Sequence, residues 1–223
     1  MNQRIPELID SAEIQKDILV QMAETEPHFR EIAGLKILVN PNVYNIGTDS
    51  RLLANTVVIA KDQTALDLCT GTGAIACKLA SMGAKRVLGI DLNPRAVANA
   101  KANKRLLGLK NLTFRQGNMF NGIADKFDVI TINPPYTDKS AQSDIDICFF
   151  DKDYRFIKSF FTNLREHLNP SGVANIAWSN IGSMTILPEL AKKHGFSLDL
   201  LSQDKGRRGY SFYVYELRDQ RSK

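Results

Sequence analysis

No apolar run in this chain approaches the length needed to span a bilayer. The N-terminus, Met1-Asn2-Gln3-Arg4-Ile5-Pro6-Glu7, lacks the apolar core of a signal peptide. Both absences predict a cytoplasmic protein. Cysteine is scarce: Cys69, Cys77 and Cys148 are odd in number and have no metal-like spacing, which fits reduced thiols. His28, His167 and His194 have no partner at useful spacing and read as surface helix positions. Asp144, Asp146, Asp151 and Asp153 cluster but match no calcium loop, so a solvated substrate loop is expected and no metal. There is no internal repeat and no low-complexity linker. Nor does one sign of charge dominate: the net charge is +5, with basic residues gathered at Lys101, Lys104, Arg105 and Lys110 and again at Lys205, Arg207 and Arg208. Neither group has the interleaved aromatics of a single-strand groove, so charge alone does not favour nucleic acid.

What is present is enough for one α/β domain. The 223 residues can bury a sizeable core, and 43% hydrophobic content is ordinary for a globular chain. From Ile5 to about Leu35 the apolar spacing (Leu8, Ile9, Ala12; Ile14, Ile18, Met22) predicts one or two helices, interrupted at Pro27. Lys36–Tyr44 reads as extended, and Gly47-Thr48-Asp49-Ser50 as a turn and helix start before Arg51–Ala54. Beyond Thr64 strands and helices alternate. Strands are expected at Ala65–Leu68, Arg86–Asp91, Leu112–Arg115, Phe127–Ile132, Gly172–Trp178, Ser197–Leu201 and Tyr210–Tyr215. Helices are expected at Ala74–Ser81, Pro94–Leu107, Tyr154–Leu168 and Met184–His194. Such alternation makes a mostly parallel sheet covered on both faces, and the last two strands, joined without a helix, make an antiparallel hairpin. The division expected is a helical cap over residues 1–40 and a main domain over 41–223.

Two motifs carry chemistry. The first is Asp67-Leu68-Cys69-Thr70-Gly71-Thr72-Gly73-Ala74-Ile75-Ala76, a strand end, a glycine turn and a helix start. Gly71 and Gly73 let backbone approach a nucleotide-like ligand. Asp91 ends the next strand, where a carboxylate accepts from both hydroxyls of a ribose and repels a 2′-phosphate. The second is Asn133-Pro134-Pro135-Tyr136 at the end of the fourth strand. A planar amide or aromatic amine is a poor nucleophile, because its lone pair is delocalised. The Asn133 side-chain oxygen and the Pro134 carbonyl can accept from its N–H bonds, Pro135 stiffens the loop, and Tyr136 can stack on the planar group.

Together these motifs resemble the class I S-adenosylmethionine (SAM) methyltransferases, closest to the HemK/PrmC-type glutamine methyltransferases and the adenine N6-methyltransferases. The resemblance implies a Rossmann-like seven-stranded sheet with SAM as cofactor. It places Asp67 and Thr70 at the amino-acid end of SAM, Leu92 beside the ribose-binding Asp91, and Asn118 and Met119 against the adenine. Tyr44 would cover the methionine part. Cys69 stands where glycine is more usual. A nicotinamide-binding domain would share the glycine turn, but Asn-Pro-Pro-Tyr has no role in hydride transfer. The implied substrate is an amine- or amide-bearing small molecule, protein or RNA. Selectivity is expected from the N-terminal region and the loop from Thr137 to Asp153. The alternative is a SAM enzyme that displaces within the aminobutyl chain, forming azetidine-2-carboxylate and methylthioadenosine.

Overall fold

A computed structural model describes residue 22 and residues 26–142, 146–206 and 209–221. The elements run β1 (His28–Ile32), β2 (Leu35–Val39), α1 (Thr48–Thr56), β3 (Thr64–Leu68), α2 (Ala74–Ser81), β4 (Arg86–Asp91), α3 (Pro94–Leu106), β5 (Leu112–Gln116) and β6 (Phe127–Ile132). Two 3₁₀ turns, Asp146–Cys148 and Lys152–Tyr154, lead into α4 (Arg155–His167), β7 (Leu168–Ser179), α5 (Ile186–His194), β8 (Phe196–Lys205) and β9 (Ser211–Asp219).

Seven strands form one sheet in the order β5-β4-β3-β6-β7-β9-β8. Strands β3 to β7 pair in parallel, and β9 runs antiparallel to both β7 and β8. The chain winds outward from β3 through β4 to β5, then returns to β6 on the other side of β3. That reversal opens a crevice at the carboxyl ends of β3 and β6, the place where such sheets bind ligands. Leu68 stands beside both Ile90 and Ile132, so the turns after β3, β4 and β6 begin at one level.

Each face of the sheet carries its own core. Ala65, Val87 and Val129 pack with α1, α2 and α3; Leu66, Ile90, Ile130 and Ile132 pack with α4 and α5. The helix α4 shows why the sequence folds so. Ile157, Phe160, Phe161 and Leu164 lie at i, i+3, i+4 and i+7, and all four are buried. Truncating Phe160 to alanine should cost about 3–5 kcal/mol. Helix α3 starts at Pro94 after Asn93, whose side chain accepts from the Arg95 amide at 2.9 Å.

The N-terminal expectation needs correction. His28–Leu35 is not helical; it forms, with the extended stretch read from Lys36, the antiparallel hairpin β1–β2, with His28 opposite Val39. Ala33 and Gly34 make its two-residue turn, both at positive φ (48° and 80°). Ile32, Ile37 and Val39 enter the core beside α2 and α3. Two asparagines of α3 hold the hairpin. Asn103 Oδ1 accepts from Leu38 N (2.8 Å), Asn99 Oδ1 accepts from Asn40 N (2.7 Å), and both Nδ2 atoms donate to Leu38 O at 2.8 Å. Asn103 Nδ2 also donates to Thr72 O at 2.9 Å, joining the hairpin to the glycine turn. Met22 is helical and buried. The helical expectation for Leu8 through Ile18 lies outside the described residues.

Three other readings change. His28 lies on β1, and His167 is buried, stacked on Phe120 with 4.3 Å between ring centroids. Asp151 is buried and accepts from the Phe156 and Ile157 amides at 2.8 and 3.0 Å, which caps α4. Asp146 is buried too and accepts from Gln142 N at 3.1 Å. Asp144 lies outside the described residues, and Asp153 is exposed. Among the described residues no helix is long and apolar enough to cross a membrane.

Candidate active site

A cavity of about 650 Å³ opens at the carboxyl ends of β3, β4 and β6. Of the residues singled out from the sequence, Tyr44, Thr70, Gly71, Asp91, Leu92, Asn118, Met119, Asn133, Pro134, Pro135 and Tyr136 line it. Asp67 and Gly73 do not.

Asp67 is wholly buried behind the turn. Its oxygens accept from Thr70 Oγ1 at 2.5 Å and Thr131 Oγ1 at 2.7 Å. Burial pushes its carboxyl up to about 6, against the downward pull of those hydroxyls. It fixes Thr70, which does reach the cavity, and so serves the site from one layer further in. Gly73 is required by packing and not by ligand approach. It sits at φ 79°, and a Cβ there would meet Phe114 Cζ at 2.7 Å and Ala100 Cβ at 2.8 Å. Cys69, the departure from the usual glycine, holds φ 56°, a left-handed conformation unusual for a side chain.

Asp91 stands across from this turn. Its Oδ2 accepts from Gly71 N at 2.8 Å and its Oδ1 from Asn93 N at 2.9 Å. Each oxygen keeps a lone pair for a further donor, as a vicinal diol needs. Burial raises its pKa although the backbone amides oppose this. Beyond it, Gly117 N donates to Asp91 O at 3.0 Å, and Met119, at φ 50°, turns the chain after β5 into the cavity wall. Leu92 is 48% exposed at the rim.

Asn133 follows β6. Its Nδ2 donates to Ser50 Oγ at 3.1 Å, while its Oδ1 is buried with no hydrogen-bond partner. A buried acceptor in that state costs about 1–3 kcal/mol until a donor arrives. Tyr136 is held by the Trp178 ring (centroids 5.8 Å apart, 62° between planes) and by its hydroxyl's bond to Asp49 at 3.3 Å. Tyr44 donates to the same carboxylate at 3.3 Å and meets Phe149 edge-on. Burial drives both phenols well above their usual range, with the Asp49 charge adding to the effect. Trp178 is buried in the core and donates from Nε1 to Ser183 O at 3.0 Å.

The far wall comes from the loop between β6 and α4. Its ends are tied by a parallel bridge between Thr137 and Phe150, which brings Ile147, Cys148, Phe149 and Phe150 to the cavity. Ile147–Phe150 fall within the loop expected to set selectivity, and Asp49 and Ser50 within the turn read before α1, but none of these, nor Asn45, is singled out by the sequence as a site residue. The apolar run Ile147–Phe150 beside Asn-Pro-Pro-Tyr was the available signal. Burial raises the thiols of Cys69, Cys77 and Cys148, so all three are held as neutral SH groups.

The residues present fit SAM on two counts: two carboxylate oxygens of Asp91 with spare acceptor capacity, and an open backbone at Gly71. Comparison with known proteins agrees. A family described as "Methyltransferase domain" matches residues 59–203. A protein of Methanocaldococcus jannaschii, provisionally named a protein N5-glutamine methyltransferase, is 35% identical over 181 residues, covering 78% of this chain and 91% of that one. A release factor glutamine methyltransferase of Aliivibrio fischeri is 40% identical over 116 residues, 49% of this chain but only 41% of its own length. Among solved structures, the T. thermophilus 16S rRNA N2 G1207 methyltransferase, in complex with SAM and guanosine, aligns over 87% of this chain and 50% of its own. Its TM-score is 0.66 and its identity 20%, a likeness of fold. Aminobutyl displacement finds no support among these relatives. The chain therefore belongs to the SAM-dependent methyltransferases, in the HemK/PrmC-like branch.

Proposed function

We propose that this enzyme methylates the side-chain amide nitrogen of a glutamine in a protein. The observation that carries the reading is Asn133, whose Oδ1 is buried without a partner while its Nδ2 is already engaged. A primary amide brings the N–H that this oxygen lacks. The Pro134 carbonyl is a second acceptor, and Tyr136 offers a ring to the amide plane. Accepting from both N–H bonds concentrates electron density on nitrogen. Bound in the cavity, SAM supplies an electrophilic methyl group on a sulfonium. The side chains of this protein then act by holding the nitrogen in line, which carries much of the rate.

Charge supports a protein over a nucleic acid. Among the described residues lining the cavity, Arg95 is the one cation, beside the carboxylates Asp49 and Asp91. Phosphate recognition needs more positive charge than that. The loop Ile147–Phe150 instead offers apolar surface, with Ile147 42% exposed. We place substrate selection there and in residues 1–40. The release-factor relative is matched over less than half its length, so a release factor is the first candidate substrate to try, not an assignment.

The test uses methyl-labelled SAM with cell extract, followed by complete enzymatic digestion of the protein fraction and analysis for N5-methylglutamine, which acid hydrolysis would cleave to labelled methylamine. Wild type should label protein, and Asn133→Ala should label nothing while binding SAM as tightly as wild type. Label in RNA or in small molecules, with none in protein, overturns the substrate class. Activity surviving Asn133→Ala overturns the mechanism.

A further inference from the structure

Asp49 lies in the first turn of α1, 2% exposed, and serves three side chains from separate parts of the chain. Its Oδ1 accepts from Ser50 N at 2.7 Å and from Ser50 Oγ at 3.5 Å. Its Oδ2 accepts from the hydroxyls of Tyr44 and Tyr136. Ser50 Oγ in turn receives Asn133 Nδ2. A serine hydroxyl has one proton. Once that proton is committed to Asp49, Ser50 can meet Asn133 only as an acceptor.

These contacts support one facing of the Asn133 amide, with Nδ2 toward Ser50. The two ends of a carboxamide are nearly alike in shape, and hydrogen-bond partners decide between them. With Nδ2 on Ser50, Oδ1 is left as the free acceptor. With the amide turned over, an N–H would confront the substrate N–H. We infer that Asp49 is a positioning residue. Through Ser50 it orients the Asn133 amide so that the acceptor is presented, and through both phenols it fixes the rings beside it. The inference rests on Asn133 acting as acceptor for the substrate nitrogen, as proposed above.

The test pairs Asp49→Ala with Ser50→Ala and Ser50→Thr. The first two remove a relay group; the third keeps the hydroxyl. Three readouts are taken: the rate of methyl incorporation into the protein fraction that wild type labels, at saturating SAM; the SAM dissociation constant; and the hydrogen exchange of the Asn133 side-chain NH2 by NMR with adenosylhomocysteine bound. Loss of the orienting bond should lower the rate about tenfold while the SAM dissociation constant stays within about twofold. Amide exchange should quicken in both alanine variants, and Ser50→Thr should restore rate and protection. Unchanged exchange in Ser50→Ala overturns the inference. So does a SAM dissociation constant that rises in step with the rate loss, since Asp49 would then be a cofactor ligand. Wild-type protein that methylates no glutamine yet shows a Ser50-dependent, protected Asn133 amide refutes the proposed function and leaves the orientation by Asp49 standing.

Discussion

Replacing Asp67 with asparagine should remove a pH dependence from folding that the wild-type chain carries. The carboxyl is wholly buried, and burial raises it from 3.8 to about 6 even with two threonine hydroxyls donating to it. Below about pH 4 it is protonated in both folded and unfolded chains. Between there and about pH 6 the unfolded chain releases its proton and the folded chain keeps it, so stability falls as pH rises. At about 1.4 kcal/mol per pH unit, the full loss is about 3 kcal/mol. Asp91 and Asp151 are raised as well, so the wild-type slope mixes several groups. The difference between wild type and Asp67→Asn isolates one of them. Urea unfolding of both proteins near pH 4 and near pH 7.5 should show the variant gaining about 2–3 kcal/mol on wild type across that interval. Any constant offset, such as a threonine hydroxyl turning to face the new amide, cancels in the comparison. A gap that stays level across the two pH values to within about 1 kcal/mol would refute the argument.

The two turn glycines should fail differently. Gly73→Ala meets both a left-handed φ and the contacts with Phe114 and Ala100, and should cost about 2–5 kcal/mol in thermal or chemical unfolding. Gly71→Ala, with only the Cys69 carbonyl oxygen at 4.0 Å, should cost about 1–2 kcal/mol of folding and show its larger effect in SAM titration. Equal stability losses would contradict the division of labour described for the turn. Asp91→Ala should weaken SAM binding by at least about tenfold in calorimetry, the worth of one charge-assisted hydrogen bond; unchanged affinity would remove Asp91 from the ribose site.

The alternation of strands and helices was readable because the central strands divide their side chains between two cores and α4 carries a single apolar stripe. Ala65 and Leu66 facing opposite cores is that pattern at its smallest. The hairpin β1–β2 was not readable. Pro27 marks a break and Lys36 onward reads as extended, but the turn between the strands uses Ala33 at φ 48°, a conformation alanine seldom takes, so their pairing has no local signature. In the site, Asp91 and Asn133 stood out because each ends a strand within a motif. Asp67 shares a motif with Thr70, yet only the register of Thr131 opposite it shows that its carboxylate faces inward and not toward ligand. Asp49 was beyond reach for another reason. Its partners stand 5 and 87 residues away, and no short pattern links them.

The matched family region starts at residue 59, whereas the asparagine bonds between α3 and the hairpin begin at Leu38. A protein cut to the family boundary would keep every cofactor-facing residue after β3. It would also strip the Leu38 and Asn40 backbone partners from Asn99 and Asn103, both completely buried in the whole chain, and leave Asn103 its bond to Thr72. Each bond to the hairpin exchanged for one to water costs about 0.5–1.5 kcal/mol, and Asn103 is the one that also grips the Thr72 carbonyl. Since neither amide carries charge, changing salt or pH would not recover the loss. The smallest useful catalytic fragment is thus set by two neutral side chains, not by where sequence similarity begins.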